Sequence, residues 1–208
     1  MSTSKATYHH GDLRAALVHA AMELLEEGGE TDLSLRAVAR RAGVSPAAPY
    51  RHYADREALV STVAAVGYRE LAERLAAAHP SPSTPEQLAS VAIAYVQFAL
   101  ERPALFRIMF TESCDRDNRE RVAATAAVSQ YVRAIVQRTF PQADAEALAT
   151  AIWALVHGLA FLHLDGKLDA STPAAVAERI TAAIYALLTA TNIGPGDSDR
   201  SSYTRTSR

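Results

Sequence analysis

Residues 34–53 read SLRAVARRAGVSPAAPYRHY, and this stretch decides the fold. Leu35, Val38, Ala39 and Ala42 recur at the spacing of one helix face. Gly43 then interrupts, and Ser45-Pro46 has the form of a helix cap followed by proline in the first turn. Two short helices joined by a tight turn are predicted. Ala39 is small where the second helix must cross the first, and Gly43 falls where the turn needs a residue that accepts positive φ. Arg36, Arg40, Arg41, Arg51 and Arg56 decorate the unit, with Asp55 as the single acid between Arg36 and Arg56, so its polar side suits phosphates. Pro49 sits badly in the second helix. It has no N–H to donate and disfavours α geometry at Ala48, so that helix must be short, distorted or restarted at Pro49.

Working outward, a bracing helix is predicted over residues 12–27, with Leu13, Leu17, Ala20 and Leu24 as its apolar stripe and Gly28-Gly29 as its end. Lys5, Tyr8, His9 and Arg14, at or before its start, are placed to reach a phosphate. On the other side Asp55 has the character of an N-cap for a long helix from Arg56 to about His79, with Leu59, Val63, Val66, Leu71 and Leu75 inward. The run His79-Pro80-Ser81-Pro82-Ser83 is the clearest linker. Thr84-Pro85-Glu86-Gln87 after it combines an N-cap, a first-turn proline and a capping-box glutamine.

A further helical region is predicted from there: a helix to about Glu101, a break at Pro103 and a short apolar helix around LFRIMF. A helix opened by the box from Asp117 to Glu120 follows and closes near Pro141. Along the next helix Leu148, Ile152, Leu155, Leu159 and Leu162 follow a 4-3-4-3 spacing, a seam for a partner helix. Thr172-Pro173 caps a last helix with Val176, Ile180, Ile184 and Leu187 in register. Pairing of these two helices across a two-fold axis into a four-helix bundle predicts a homodimer. The expected organisation is residues 1–54 as a helix-turn-helix unit with a disordered arm at 1–7. Residues 55–193 form a connector plus a helical domain, and 194–208 a disordered tail.

Composition sets bounds on function. The 208 residues are 49% hydrophobic but only 7% aromatic, and no stretch alternates with the period of a strand, so an all-α protein is expected. The formal charge of −2 excludes a general polycation, so any nucleic-acid surface must be local. Cys114 is the lone cysteine, which rules out an intramolecular disulfide and a multi-cysteine zinc site. The N-terminus lacks the apolar run of a signal peptide, and the longest apolar stretch, residues 151–164, is short and carries His157 and His163. A soluble cytoplasmic protein with no membrane partner is expected. Those histidines are six apart with no carboxylate to complete a shell, so neither a metal nor another cofactor is expected. A helical enzyme binding an anionic substrate through the arginines lacks a Gly-rich phosphate loop and a connectable Ser-His-acid set.

The order of elements, one bracing helix, a helix-turn-helix, a long connector and an all-helical C-terminal region, resembles the TetR family of bacterial transcriptional repressors. The resemblance is strongest over Leu35 to Leu59. It rests on the turn Ala42-Gly43-Val44-Ser45, the segment Tyr50-Arg51-His52-Tyr53 and the pair Asp55-Arg56. The opening Tyr8 to Arg14 is similar to one branch of the family. Two departures stand out: Pro49 replaces a branched aliphatic, and Arg56 replaces the usual lysine.

The resemblance implies that Ser45, Pro46, Ala47 and Ala48 face the major groove of a double-stranded DNA operator. Tyr50 and His52 would bond phosphates, Arg56 would anchor another, and Arg36 or Arg51 would add to the readout. Trp153, His157 and Gly158 are similar to the signature of the Trp-His-Gly type of C-terminal domain. The bulky set Tyr95, Phe98, Phe106, Met109, Phe110, Tyr131, Trp153, His157 and Phe161 is read as core that also encloses a pocket for an unknown small-molecule effector. The expected function is a homodimeric, ligand-responsive repressor that is not an enzyme. Its rival is a helical sensor that has lost DNA binding at Pro49.

Overall fold

A computed structural model describes residues 10–29, 32–111 and 118–192. The expected arm, the tail, Lys5, Tyr8, His9, Cys114 and Asp117 lie outside the described residues. All regular elements among the described residues are helical. They are α1 (His10–Gly28), α2 (Leu35–Arg41), a one-turn 3-10 helix (Pro49–Arg51), α3 (Arg56–Ala78) and α4 (Pro85–Glu101). Then come α5 (Pro103–Thr111), α6 (Arg119–Thr139), α7 (Ala145–Leu164) and α8 (Pro173–Asn192).

Local chemistry explains most boundaries. Ser34 accepts from the Ala37 amide at the head of α2, and Asp55 accepts from the Ala58 amide at the head of α3. Thr84 and Gln87 form the complete reciprocal box at the head of α4. Asp144 accepts from two amides of α7. At α6 the capping oxygen comes from Asn118, which bonds the Arg121 amide, one residue beyond the start expected from Asp117. Gly43 has φ +67, and two bonds close the end of α2 around it, Gly43 N–H to Arg40 O and Val44 N–H to Ala39 O at 3.2 and 3.0 Å. This is a Schellman turn, which requires the left-handed residue that glycine supplies.

The long helix α3 is the axis of the molecule. It packs against α1 on one side and against α4, α5 and α6 on the others. Leu59, Val63, Leu71 and Leu75 are buried as the spacing predicts, and so are Ser61, Thr62 and Gly67. α5 leaves no room for a side chain at Gly67: a Cβ there would meet Met109 Sδ at 2.6 Å. One continuous hydrophobic cluster runs from Leu17 in α1 to Leu188 in α8, crossing the expected boundary between residues 54 and 55.

The rotational setting of α7 and α8 differs from the expected seam. Val176, Ile180 and Ile184 are at most 3% exposed, and Leu148 and Leu159 are also buried. They form the interior of the protomer, where α8 packs on α4 and α7 on α4 and α6, so they are not available to a second copy. Ile152, Leu155 and Leu187 are half-buried, and Leu162 alone of that set is well exposed. The exposed line of α7 runs instead through Ala147, Ala151 and Ala154. Gly158, on the same line, has nothing within 4 Å of a built Cβ, so it accommodates no close neighbour inside the protomer.

Candidate functional site

The segment after α2 turns twice in quick succession. The Ala48 amide donates to Ser45 O at 2.9 Å. Pro49 then removes the next donor, and the chain restarts as a 3-10 turn in which the His52 and Tyr53 amides both reach Pro49 O. The expected helix capped by Ser45 is therefore replaced by a turn at residues 46–47 and a one-turn helix beginning at Pro49. Ala48 keeps α geometry, with φ −61 and ψ −42, and Pro49 is buried beneath the segment. Tyr53 is also buried, 3% exposed, and its burial raises its phenol pKa, so it is a neutral core ring.

On this base Ser45, Pro46, Ala47, Tyr50, Arg51 and His52 are exposed, Ala48 is half-buried, and Tyr50 is 55% exposed. Arg36 and Arg40 on α2 are exposed as well. A phenol, an imidazole and guanidinium groups on one short segment and the adjoining helix suit phosphate oxygens, while Ala47 presents only a methyl group.

Three other arginines are occupied by the protein. Arg41 pairs with Glu27 and Glu23 of α1, and its hydrogen bond holds the Glu27 carboxyl below its usual pKa. Arg14, expected to reach a phosphate, bonds Glu120 of α6 at 2.8 Å. Arg56, expected to anchor a phosphate, donates through Nε to the Leu33 carbonyl at 2.9 Å and so fastens α3 to the loop before α2.

The second site is a cavity of about 400 Å³ between α3, α5, α6 and α7. Tyr68 comes from α3, Tyr95 from α4, Met109 and Phe110 from α5. Arg121, Thr125, Val128, Ser129 and Val132 line it from α6, and Glu146, Thr150 and Trp153 from α7. The Met109 carbonyl is the junction of its walls, accepting from Tyr68 Oη at 2.9 Å and from Arg121 Nη2 at 3.1 Å. A smaller, almost wholly apolar void of about 60 Å³ adjoins it and shares Tyr95, Val128, Val132 and Trp153. A volume of this size, with apolar walls and a few polar points, is that of a small-molecule site.

Behind the cavity stands an aromatic cluster. His157 lies 4.6 Å from Phe110, 4.9 Å from Phe161 and 5.4 Å from Trp153, ring centre to ring centre, and Phe106 lies 4.7 Å from Phe110. Tyr95 Oη is 3.0 Å from His157 Nδ1. Burial pushes the Tyr95 phenol well up and the His157 imidazole down, so both are neutral at pH 7. The phenol is then the donor, Nδ1 the acceptor, and the imidazole proton sits on Nε2.

Of the nine expected pocket residues, Tyr95, Met109, Phe110 and Trp153 line the cavity. Phe98, Phe106, His157 and Phe161 form the packed layer behind it. Tyr131 points elsewhere: its hydroxyl donates to the carbonyls of Leu75 and His79 at the end of α3. Tyr68 and the α6 face were missed. The signal for the latter was present as Arg121, Thr125, Val128 and Val132, which fall at i, i+4, i+7 and i+11, a mixed stripe that a search for bulky apolar residues passes over.

Comparison with known proteins agrees with this architecture. Residues 17–63 match the model for bacterial regulatory proteins of the tetR family, and residues 88–187 match that for the tetracyclin repressor-like C-terminal domain. The second description does not name the Trp-His-Gly type expected from Trp153, His157 and Gly158, and so does not confirm it. The HTH-type transcriptional regulator BetI of Brucella canis is 28% identical over 160 residues, 74% of this chain and 80% of that protein. The uncharacterised HTH-type transcriptional regulator YobS of Bacillus subtilis is 24% identical over 147 residues, 70% of this chain and 76% of that protein. A solved structure of a protein of unknown function from Rhodococcus sp. RHA1 superposes with a TM-score of 0.76 at 34% identity, covering 89% of this chain and 98% of the other. A TetR family transcription regulator from Marinobacter aquaeolei VT8, at 21% identity and a TM-score of 0.62, shares the fold over 85% of this chain and 94% of its own.

Proposed function

The chain belongs to the TetR family of DNA-binding bacterial transcriptional regulators, and we propose that it acts as a soluble, cytoplasmic homodimeric repressor, released from its operator by a small molecule in the α3–α7 cavity. The observation that carries this reading is the course of α3. The helix begins under the exposed segment from Ser45 to His52, where Arg56 ties it to Leu33, and Tyr68 of the same helix forms part of the cavity wall. A straight helix spans that separation in roughly 20 Å. A ligand that displaces Tyr68 or Met109 therefore acts on a rigid lever whose other end sets the pose of the DNA-facing segment. The bias needed is modest, since coupling energies between sites are typically about 1–3 kcal/mol.

The proposed dimer contact uses the outward line of Ala147, Ala151, Ala154, Gly158 and Leu162 on α7, with Ala182 and Ala186 of α8. Small residues along a helix let a partner's backbone approach closely, and the open space over Gly158 suits that approach. Two copies would then place their exposed segments in successive major grooves of a pseudo-palindromic site. The chemistry needs no enzyme function and no cofactor.

The experiment is a gel-shift titration of the full chain with fragments from around its own coding region, at several salt concentrations. Sequence-specific retardation, weakening by roughly 10³–10⁵ between about 50 and 200 mM salt for 6–10 phosphate contacts, supports the regulator. Absence of retardation at low salt supports the alternative reading that the turn forced by Pro49 has left a ligand sensor without operator binding.

A further inference from the structure

Among the described residues, the cavity carries one charge that no carboxylate balances. Its lining includes two arginines and one carboxylate, Arg121, Arg133 and Glu146. Glu146 lies 3.8 Å from Arg133, both largely exposed, and these two offset one another. Arg121 is half-buried and has no carboxylate partner among the described residues; its guanidinium donates from Nη2 to the Met109 carbonyl and stands beside the Tyr68 hydroxyl. A guanidinium so placed keeps further N–H donors for a ligand. The lining also includes Phe110 of α5, Val128 of α6 and Trp153 of α7, together with Thr125 and Ser129 of α6.

From this juxtaposition we propose that the cavity takes a small carboxylic acid with a hydrophobic, ring-bearing body, whose carboxylate is received by Arg121. The proposal rests on the reading of this cavity as the effector site and adds the chemical class of the effector. A half-buried guanidinium with donors to spare favours an anion, and a planar carboxylate matches its fork with two parallel hydrogen bonds. The aromatic walls by themselves would also attract an organic cation. Arg121 repels such a cation, and among the described residues the lining's only carboxylate is already beside Arg133.

Trp153 is the only tryptophan in the chain and lines the cavity, so its emission reports occupancy without a label. The full chain is titrated at neutral pH with 4-phenylbutyrate, with its neutral analogue 4-phenylbutyramide, and with trimethyl(3-phenylpropyl)ammonium. The acid is expected to bind roughly tenfold to a hundredfold more tightly than the amide, as a charge-assisted bidentate pair gives, with the ammonium weakest. Arg121→Met should abolish the preference for the acid, while Arg121→Lys keeps part of it. Circular dichroism melts establish that both variants are folded.

Equal affinity for acid and amide, tightest binding of the ammonium, or a preference that persists in Arg121→Met would overturn the assignment of the carboxylate to Arg121. The cavity would still stand as a ligand site in those cases. A Trp153 signal that none of the three molecules moves would overturn the proposal and the effector reading of the cavity together.

Discussion

Gly67 is the point at which the lever helix touches the cavity wall, and Gly67→Ala tests that approach. A Cβ at this position would lie 2.6 Å from Met109 Sδ, 3.0 Å from Met109 Cγ and 3.0 Å from Leu105 Cδ1. Such atoms normally come no closer than about 3.5 Å. Met109 and Leu105 are 0% and 2% exposed, so neither side chain retreats into solvent, and the thioether must move into the cavity it lines. Two effects oppose one another. Replacing glycine in a helix interior stabilises by about 0.8–1.0 kcal/mol. Overpacking a closed core costs about 1–3 kcal/mol. The net expectation is a loss of about 1 kcal/mol, within roughly 0–2, which lowers Tm by about 2–4 °C for a chain of this length.

The decisive measurement is a double-mutant cycle. With Met109→Ala in place the sulfur and Cγ are gone and Leu105 Cδ1 can shift into the space they leave, so Gly67→Ala should become stabilising by up to about 1 kcal/mol, giving a coupling of about 2 kcal/mol. Urea unfolding followed by far-UV circular dichroism reads both legs, at one fixed protomer concentration because assembly itself adds stability. If Gly67→Ala stabilises equally in both backgrounds, with coupling within about 0.5 kcal/mol of zero, α3 and α5 do not meet as described and the lever does not reach the cavity wall.

The two kinds of arginine in the N-terminal unit should separate in operator binding. Arg51→Ala is expected to reduce the salt slope by about one for each phosphate that the side chain neutralises, while Arg41→Ala, which breaks the pairs to Glu27 and Glu23, lowers Tm and leaves the slope unchanged. Tyr131→Phe removes the hydroxyl bonds to the Leu75 and His79 carbonyls and should cost about 0.5–1.5 kcal/mol in urea unfolding. Ligand-induced changes in Trp153 emission should survive it, and their loss would return Tyr131 to the cavity. Stability should also fall on acidification. Burial holds the His157 pKa below its ordinary 6.5, so the unfolded chain takes up the proton first; the stability present above 6.5 is lost as pH falls towards the folded value. His163, buried near Arg179, shifts in the same direction. A Tm profile from about pH 8 to about pH 5 that is flatter in His157→Gln than in the parent checks this, and identical profiles would exclude His157 as a contributor.

Much of the fold was legible residue by residue. Asp55 and Thr84 with Gln87 cap their helices where the sequence places them, and Ser34 and Asp144 cap theirs in the same way, because a cap is an interaction over two or three residues and needs no distant partner. Gly43 takes positive φ for the same local reason. Pro49, whose ring removes a donor within its own turn, restarts the chain as one 3-10 turn. The family was legible too, since its strongest motif lies within 25 consecutive residues, Leu35 to Leu59.

What tertiary structure decided was the partner of each polar group and the rotation of each helix. Arg41, Arg14 and Arg56 look alike with Arg51 in sequence, yet the first three meet Glu27, Glu120 and the Leu33 carbonyl, at separations of 14, 106 and 23 residues that no local pattern encodes. Tyr131 leaves its expected place in the cavity, and Tyr68 lines it unforeseen, for the same reason. In α7 the cause is different: alanines line one face and leucines the next, so apolar periodicity allows two phases. Packing against α4 and α6 set the phase that turned Leu148 and Leu159 inward and left the alanine line outside.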